Sequence, residues 1–122
     1  MSPMPGRIGA LFESLGGDVV YVGKPHSEVY VQSLQLLAKH DVDDLSRVCM
    51  VGDAMATDIR GGNLAGLGGS VLIGHGIHAE SLGLRPGRGV DVDLVSREAA
   101  SEFLKGFPVS EWPTSILPAF RW

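Results

Sequence analysis

The chain has 122 residues, enough for one domain with a real core and too few for two. A hydrophobic share of 44% and a charged share of 20% are ordinary for a globular protein, and a net charge of −4 supplies no basic footprint for nucleic acid. No apolar run nears the ~20 residues that span a bilayer, the start Met1-Ser2-Pro3-Met4-Pro5 lacks the pattern of a signal peptide, and a single cysteine excludes a disulfide framework. Neither nucleic acid nor membrane is expected as a partner, and the expected location is cytoplasmic.

Residues 6–15, GRIGALFESL, set Ile8, Leu11, Phe12 and Leu15 at helical spacing. They predict a helix packed on a sheet and ended by Gly16-Gly17. The run Val19 to Val22 predicts a strand, and it delivers Lys24 to that strand's carboxyl end, where Pro25 biases the lysine towards extended backbone. On position alone Lys24 reads as a solvated strand end. Ser27 to Lys39 predicts a helix with Tyr30, Leu34 and Leu37 as its apolar stripe. After the acidic turn Asp41-Val42-Asp43-Asp44, the run Val48-Cys49-Met50-Val51 predicts a buried strand of a parallel sheet, with Cys49 an inert buried thiol.

That strand ends in Gly52-Asp53, and a new helix is predicted to open near Thr57, the N-cap, with Asp58 in its first turn. Asp53 and Asp58 then both face the crevice at the carboxyl end of the sheet, where open α/β sheets bind ligands. Two hard oxygen donors beside a helix N-terminus suit Mg²⁺, although capping alone would also place an aspartate at each position. Gly61-Gly62 inside the helix costs about 1 kcal/mol per glycine relative to alanine, which implies close backbone packing. Ser70 to Ile73 predicts a further strand. Gly74-x-Gly76-x-x-Ala79 after it, with Asp91 or Asp93 downstream, fits a short dinucleotide fingerprint, a rival to the metal reading. His75 and His78 read as polar loop residues, because no third His or Cys is near. Leu84 to Gly89 reads as a loop, Val90 to Val95 as an edge strand, and Arg97 to Phe107 as an amphipathic helix with Ala100, Phe103 and Leu104 inward. Pro108 to Trp122 reads as an irregular apolar tail folded back over the sheet.

The string Gly52-Asp53, Thr57-Asp58-Ile59, Gly61 and Ala65-Gly66 resembles the fourth motif of the haloacid dehalogenase (HAD) superfamily of phosphohydrolases. Upstream, Gly16-Gly17-Asp18-Val19-Val20-Tyr21-Val22-Gly23-Lys24-Pro25-His26 resembles its third motif, in the sugar-phosphatase-like subclass with a large α/β cap. The likeness covers most of residues 6–82 and the tail more loosely. It implies an α/β fold: a Rossmann-like parallel sheet of about three strands with flanking helices, a partial HAD core over residues 1–107, and a tail at 108–122 packing on it. It also implies Mg²⁺-dependent hydrolysis of a small phosphate monoester, with a small phosphorylated metabolite as substrate. Asp53 would be catalytic and hold Mg²⁺, Asp58 would join it at the metal, and Lys24 would neutralise the phosphate and steady the nucleophile. Gly62 stands where that pattern usually has alanine.

One part of the pattern is missing. The superfamily attacks phosphorus with the first aspartate of an Asp-x-Asp-Gly-Thr/Val string at the end of a strand. Asp41-Val42-Asp43 and Asp91-Val92-Asp93 each lack the preceding apolar strand and the following glycine. The second motif and the cap have no room upstream of the third. The expectation is therefore a carboxyl-terminal half, inactive alone, that pairs with an amino-terminal half or with a second copy. The alternative is a non-catalytic module that binds Mg²⁺ and phosphate, or a partner.

Overall fold

A computed structural model describes residues 5–85 and 94–120. Its centre is a parallel sheet of three strands, β1 (Cys49–Gly52), β2 (Gly69–Ile73) and β3 (Ser115–Leu117), side by side in that order. Parallel neighbours need a crossover, and between β1 and β2 it is a π-helical turn, Met55–Ile59, running into a short helix α3, Arg60–Leu64. Two further helices, α1 (Pro5–Ser14) and α2 (Ser27–Ala38), precede the sheet, and α4 (Arg97–Leu104) lies between β2 and β3. Ser96 caps α4, its hydroxyl accepting from the Ala99 N–H at 3.0 Å.

The core gathers where the crossover meets the sheet. Met55, Ile59, Leu72, Leu82 and Leu84 are buried together, with Phe103, Leu104, Phe107 and Ile116 packed against them. The glycine pair in α3 explains itself by contact. A Cβ on Gly61 would lie 2.0 Å from the Tyr30 hydroxyl oxygen, and one on Gly62 would lie 2.5 Å from Met50 Cβ. Tyr30 on α2 and Met50 on β1 thus reach the helix backbone itself, as the glycine cost implies. The departure from alanine at position 62 follows from the same contact.

The parallel α/β architecture matches the sequence expectation, but one strand is a different segment. Val19–Val22 forms no strand, and Val20 and Val22 are exposed. A strand is a property of pairing, and no neighbour among the described residues offers that run an edge. The tail supplies the third strand instead. Asn63 in α3 donates from Nδ2 to the carbonyls of Ser110 (3.0 Å) and Trp112 (2.9 Å), while its Oδ1 accepts from the Ser70 hydroxyl at 2.8 Å. Thr114 then sets the register: its hydroxyl accepts from Ser70 N at 3.0 Å and its N–H donates to Ser70 O at 2.8 Å. Arg60 adds an ion pair to Glu111 on the 3₁₀ turn Val109–Glu111. So the tail extends the sheet at its edge where an irregular cover is expected.

Three other expectations change. α1 forms where predicted, yet Ile8, Leu11, Phe12 and Leu15 are all exposed, so it does not pack on the sheet. It folds on the segment that follows it: the Phe12 ring overlies Gly17, and the Tyr21 hydroxyl donates to Glu13 at 3.0 Å. β1 is not buried on both faces. It pairs with β2 alone among the described residues, and Cys49 and Val51 are exposed, because nothing covers that side of an edge strand. The expected strand Val90–Val95 and most of the loop before it fall outside the described residues, and Leu94 and Val95 themselves are not in a strand.

Candidate functional site

Lys24, Asp53 and Asp58 meet at the carboxyl end of β1. Gly52 closes the strand, and a Cβ there would lie 2.3 Å from the Asp58 carboxylate, so glycine is what lets that carboxylate fold back over the strand end. Asp58 is buried in the π-helical turn. One of its oxygens accepts from the Asp53 and Ala54 N–H groups, both at 3.1 Å, and the other accepts from Lys24 Nζ at 2.5 Å. The turn's N-cap is Ala54, and Thr57 lies inside the turn, which corrects the expected cap. Asp58 itself does what a cap does, reaching back to free N–H groups from a later position.

Lys24 is thereby brought to Asp58 across 34 positions of sequence, with its side chain about half exposed. The hydrogen bond to Asp58 raises its pKa above the usual lysine value, against a smaller opposing effect of burial. The sign is that of a cation gaining a partner: the stabilisation is fully present below the unfolded value of 10.5 and is lost as pH rises through the raised folded value. Wild-type thermal stability should be insensitive to this pair from pH 7 to 10 and fall above about 10.5, whereas Lys24→Met should lack that alkaline step. Parallel alkaline losses in the two proteins, followed by circular dichroism melts, would remove the pair from the stability account.

Asp53 is the freer carboxylate. Among the described residues its polar contact is a long bond from the Ile77 N–H, 3.4 Å from Oδ2. Gly76 lies directly against it, since a Cβ there would stand 2.3 Å from Asp53 Cβ. The structure therefore brings Lys24, Asp53 and Asp58 to one place, as expected, but gives the two aspartates different work. Asp58 is committed to two N–H groups and an ammonium, while Asp53 has, among the described residues, only the long bond from Ile77. Among the described residues no group of three or more His, Cys, Asp or Glu is arranged to hold a metal. The donor set suits Mg²⁺ all the same, because that ion takes one or two carboxylates and completes its shell with water and substrate phosphate.

The residues after β2 are more important than the sequence suggests. Gly74 to Gly83 form bends and hydrogen-bonded turns, no helix opens there, and Gly76 is filled by Asp53, so the dinucleotide fingerprint lacks both its helix and its phosphate cradle. Asp91 and Asp93 lie outside the described residues. His78 lies on this loop as expected, but it is half-buried and engaged: its Nε2 accepts from the Met55 N–H at 3.3 Å, and its ring packs on Phe103 with centroids 5.1 Å apart. Burial holds this imidazole below its usual pKa, partly offset by Asp53. Among the described residues His75 Nε2 is buried without a hydrogen-bond partner. The first Asp-x-Asp string supplies no nucleophile at the site, since Asp41 and Asp43 are exposed after α2; the second string lies outside the described residues.

A family profile described as HAD-hydrolase-like matches residues 21–95. Among solved structures, the chain is similar to a possible sugar phosphatase of the HAD superfamily from Cytophaga hutchinsonii, with 24% identity and a TM-score of 0.55 over 93% of this chain and 33% of that one. It is also similar to a p-nitrophenyl phosphatase from Archaeoglobus fulgidus, with 23% identity and a TM-score of 0.57 over 93% of this chain and 35% of that one. At these identities the likeness is one of fold, and the chain spans about a third of the length of the structures it matches. No curated protein matches the chain.

Proposed function

The chain belongs to the HAD-hydrolase-like family, and on that footing we propose that it is the distal part of a cytoplasmic, Mg²⁺-dependent phosphatase core acting on a small phosphorylated metabolite. The observation that carries this reading is the meeting of Lys24, Asp53 and Asp58 at the carboxyl end of β1. Asp53 is the carboxylate that would hold Mg²⁺, and the ion would neutralise charge on the phosphate. Lys24 has three N–H groups, of which one goes to Asp58, so two remain for phosphate oxygens. Asp58 acts beside the metal by fixing both Lys24 and the backbone that aims Asp53.

The attacking carboxylate comes, in this proposal, from a segment outside these 122 residues. The open edge of β1 is where such a segment would join. A cleft of about 180 Å³ is lined by residues of both β1 and α2, among them Leu34, Leu37, Cys49 and Met50, and by Lys24. A parallel strand added there would end beside Asp53 and Lys24. Without it, Mg²⁺ should bind in the millimolar range, about −4 kcal/mol, and an aryl phosphate with Mg²⁺ should be hydrolysed at background rate. Calorimetric titration should show Asp53→Asn abolishing what binding exists. Turnover that vanishes in Lys24→Ala and Asp53→Asn would show instead that the chain supplies its own nucleophile, and binding untouched by Asp53→Asn would remove Asp53 from the metal site.

A second reading is a non-catalytic module that pairs with another chain, including a second copy. It is favoured by the edge of β1, unpaired among the described residues, and by the exposed apolar side of α1, each the kind of surface that other chains cover. Sedimentation tests the self-pairing: a single monomeric species at micromolar concentration speaks against it.

A further inference from the structure

The turn Asp53-Ala54-Met55 determines where the Asp53 carboxylate points, and its three successive N–H groups have an unusual set of partners. None is taken up by the sheet. Asp53 N and Ala54 N both donate to the Asp58 carboxylate, and Met55 N donates to His78 Nε2 at 3.3 Å. Met55 is fully buried, so this last N–H has no recourse to water. The His78 ring is itself held in place, 5.1 Å from Phe103 and 6.4 Å from Phe107 between centroids. The same loop also touches Asp53 itself in two places, through Gly76 against its Cβ and through the Ile77 N–H to Oδ2.

We infer that His78 is a positioning residue for Asp53: it accepts the third N–H of the turn whose first two are accepted by Asp58, and so fixes the backbone from which the metal-binding carboxylate projects. The inference rests on the reading of Asp53 as a Mg²⁺ ligand. His78 touches neither metal nor phosphate in this scheme, and acts through the Met55 amide. For Nε2 to accept, the ring must be neutral with its proton on Nδ1. The competing account is that the ring merely fills space beside Phe103 and Phe107. The two accounts differ over which replacement is tolerated. Glutamine carries an acceptor to about the reach of Nε2 but loses the ring, whereas phenylalanine keeps a ring and loses the acceptor.

The test uses the full chain, ¹⁵N-labelled and titrated with MgCl₂, as wild type, His78→Gln, His78→Phe and Asp53→Asn. His78→Phe should bind Mg²⁺ about tenfold more weakly, the lower end of what loss of an orienting partner costs a metal site, and His78→Gln should stay within about twofold of wild type. In the metal-free spectra the Met55 amide should exchange faster with solvent in His78→Phe than in His78→Gln. If the phenylalanine variant lacks a dispersed spectrum, His78→Met takes its place with the same expectations, since a thioether is a weak acceptor. Wild-type Mg²⁺ affinity in His78→Phe, or equal losses in the two variants, would overturn the inference. Undiminished binding in Asp53→Asn would overturn the metal reading alone. The exchange comparison would then still decide His78, and equal Met55 exchange in both variants would count against it.

Discussion

Asp58→Ala is expected to lower the stability of the chain by about 3 kcal/mol, because the change strands buried donors rather than merely deleting a contact. The Asp58 side chain is 5% exposed and accepts the N–H groups of Asp53 and Ala54 together with the Lys24 ammonium. Each part-buried N–H left without an acceptor costs about 1–3 kcal/mol. The half-exposed lysine adds little, since water takes over its solvation. Asp58→Asn retains one acceptor oxygen and should lose roughly half as much. Urea unfolding with an unchanged m-value would read the difference directly. An alanine variant within 0.5 kcal/mol of wild type, the scatter of ordinary surface changes at about that size, would mean that Asp58 does not organise the turn.

Gly68→Ala should be comparably severe for a different reason. A Cβ at Gly68 would stand 2.1 Å from the Ser46 carbonyl oxygen and 2.6 Å from its carbon, both backbone atoms. Neither side can retreat, because the Gly68 N–H donates to the carbonyls of both Leu45 (2.8 Å) and Val48 (2.9 Å) at the mouth of β2. Overpacking against fixed backbone costs about 3 kcal/mol. Gly66, two residues earlier, makes the internal control. Its φ is +70° and the space around it is open, so alanine there should cost about 1–2 kcal/mol of backbone strain and asparagine less. Equal melting temperatures for Gly68→Ala and Gly66→Asn would show that the close approach is not rigid.

How far the sequence carries depends on whether a feature is local. α2 and the first two strands are legible because their signals are runs and periods within a dozen residues. Val19–Val22 has the same run, but a strand also needs a partner, and none of the described residues provides one. β3 is the converse. Ser115-Ile116-Leu117 is short and lies between Pro113 and Pro118, and what makes it a strand is Asn63, Ser70 and Thr114 acting over more than forty positions. At the site, Lys24, Asp53 and Asp58 are readable as residue types in order. That Asp58 serves the N–H groups of residues 53 and 54 is capping chemistry in an unfamiliar place. His78 carries no such signal, because its bond to Met55 spans 23 positions and a lone loop histidine has many uses.

The way β3 is recruited also sets an order in time. β1 and β2 pair at Cys49↔Gly69, a separation of 69 − 49 = 20 residues, and β2 and β3 pair at Val71↔Ser115, a separation of 115 − 71 = 44. Roughly doubling a loop adds only about 0.6 kcal/mol of closure entropy, so distance alone does not delay the third strand. What delays it is its docking site, which consists of Asn63 on α3 and Ser70 on β2 and exists once those elements have met. A chain made from its amino terminus can assemble β1, α3 and β2 while the tail is still being synthesised. The three described strands are then all in place only after residue 117 has been added. Until that moment β2, which lies between the other two, has one bare edge on the growing polypeptide.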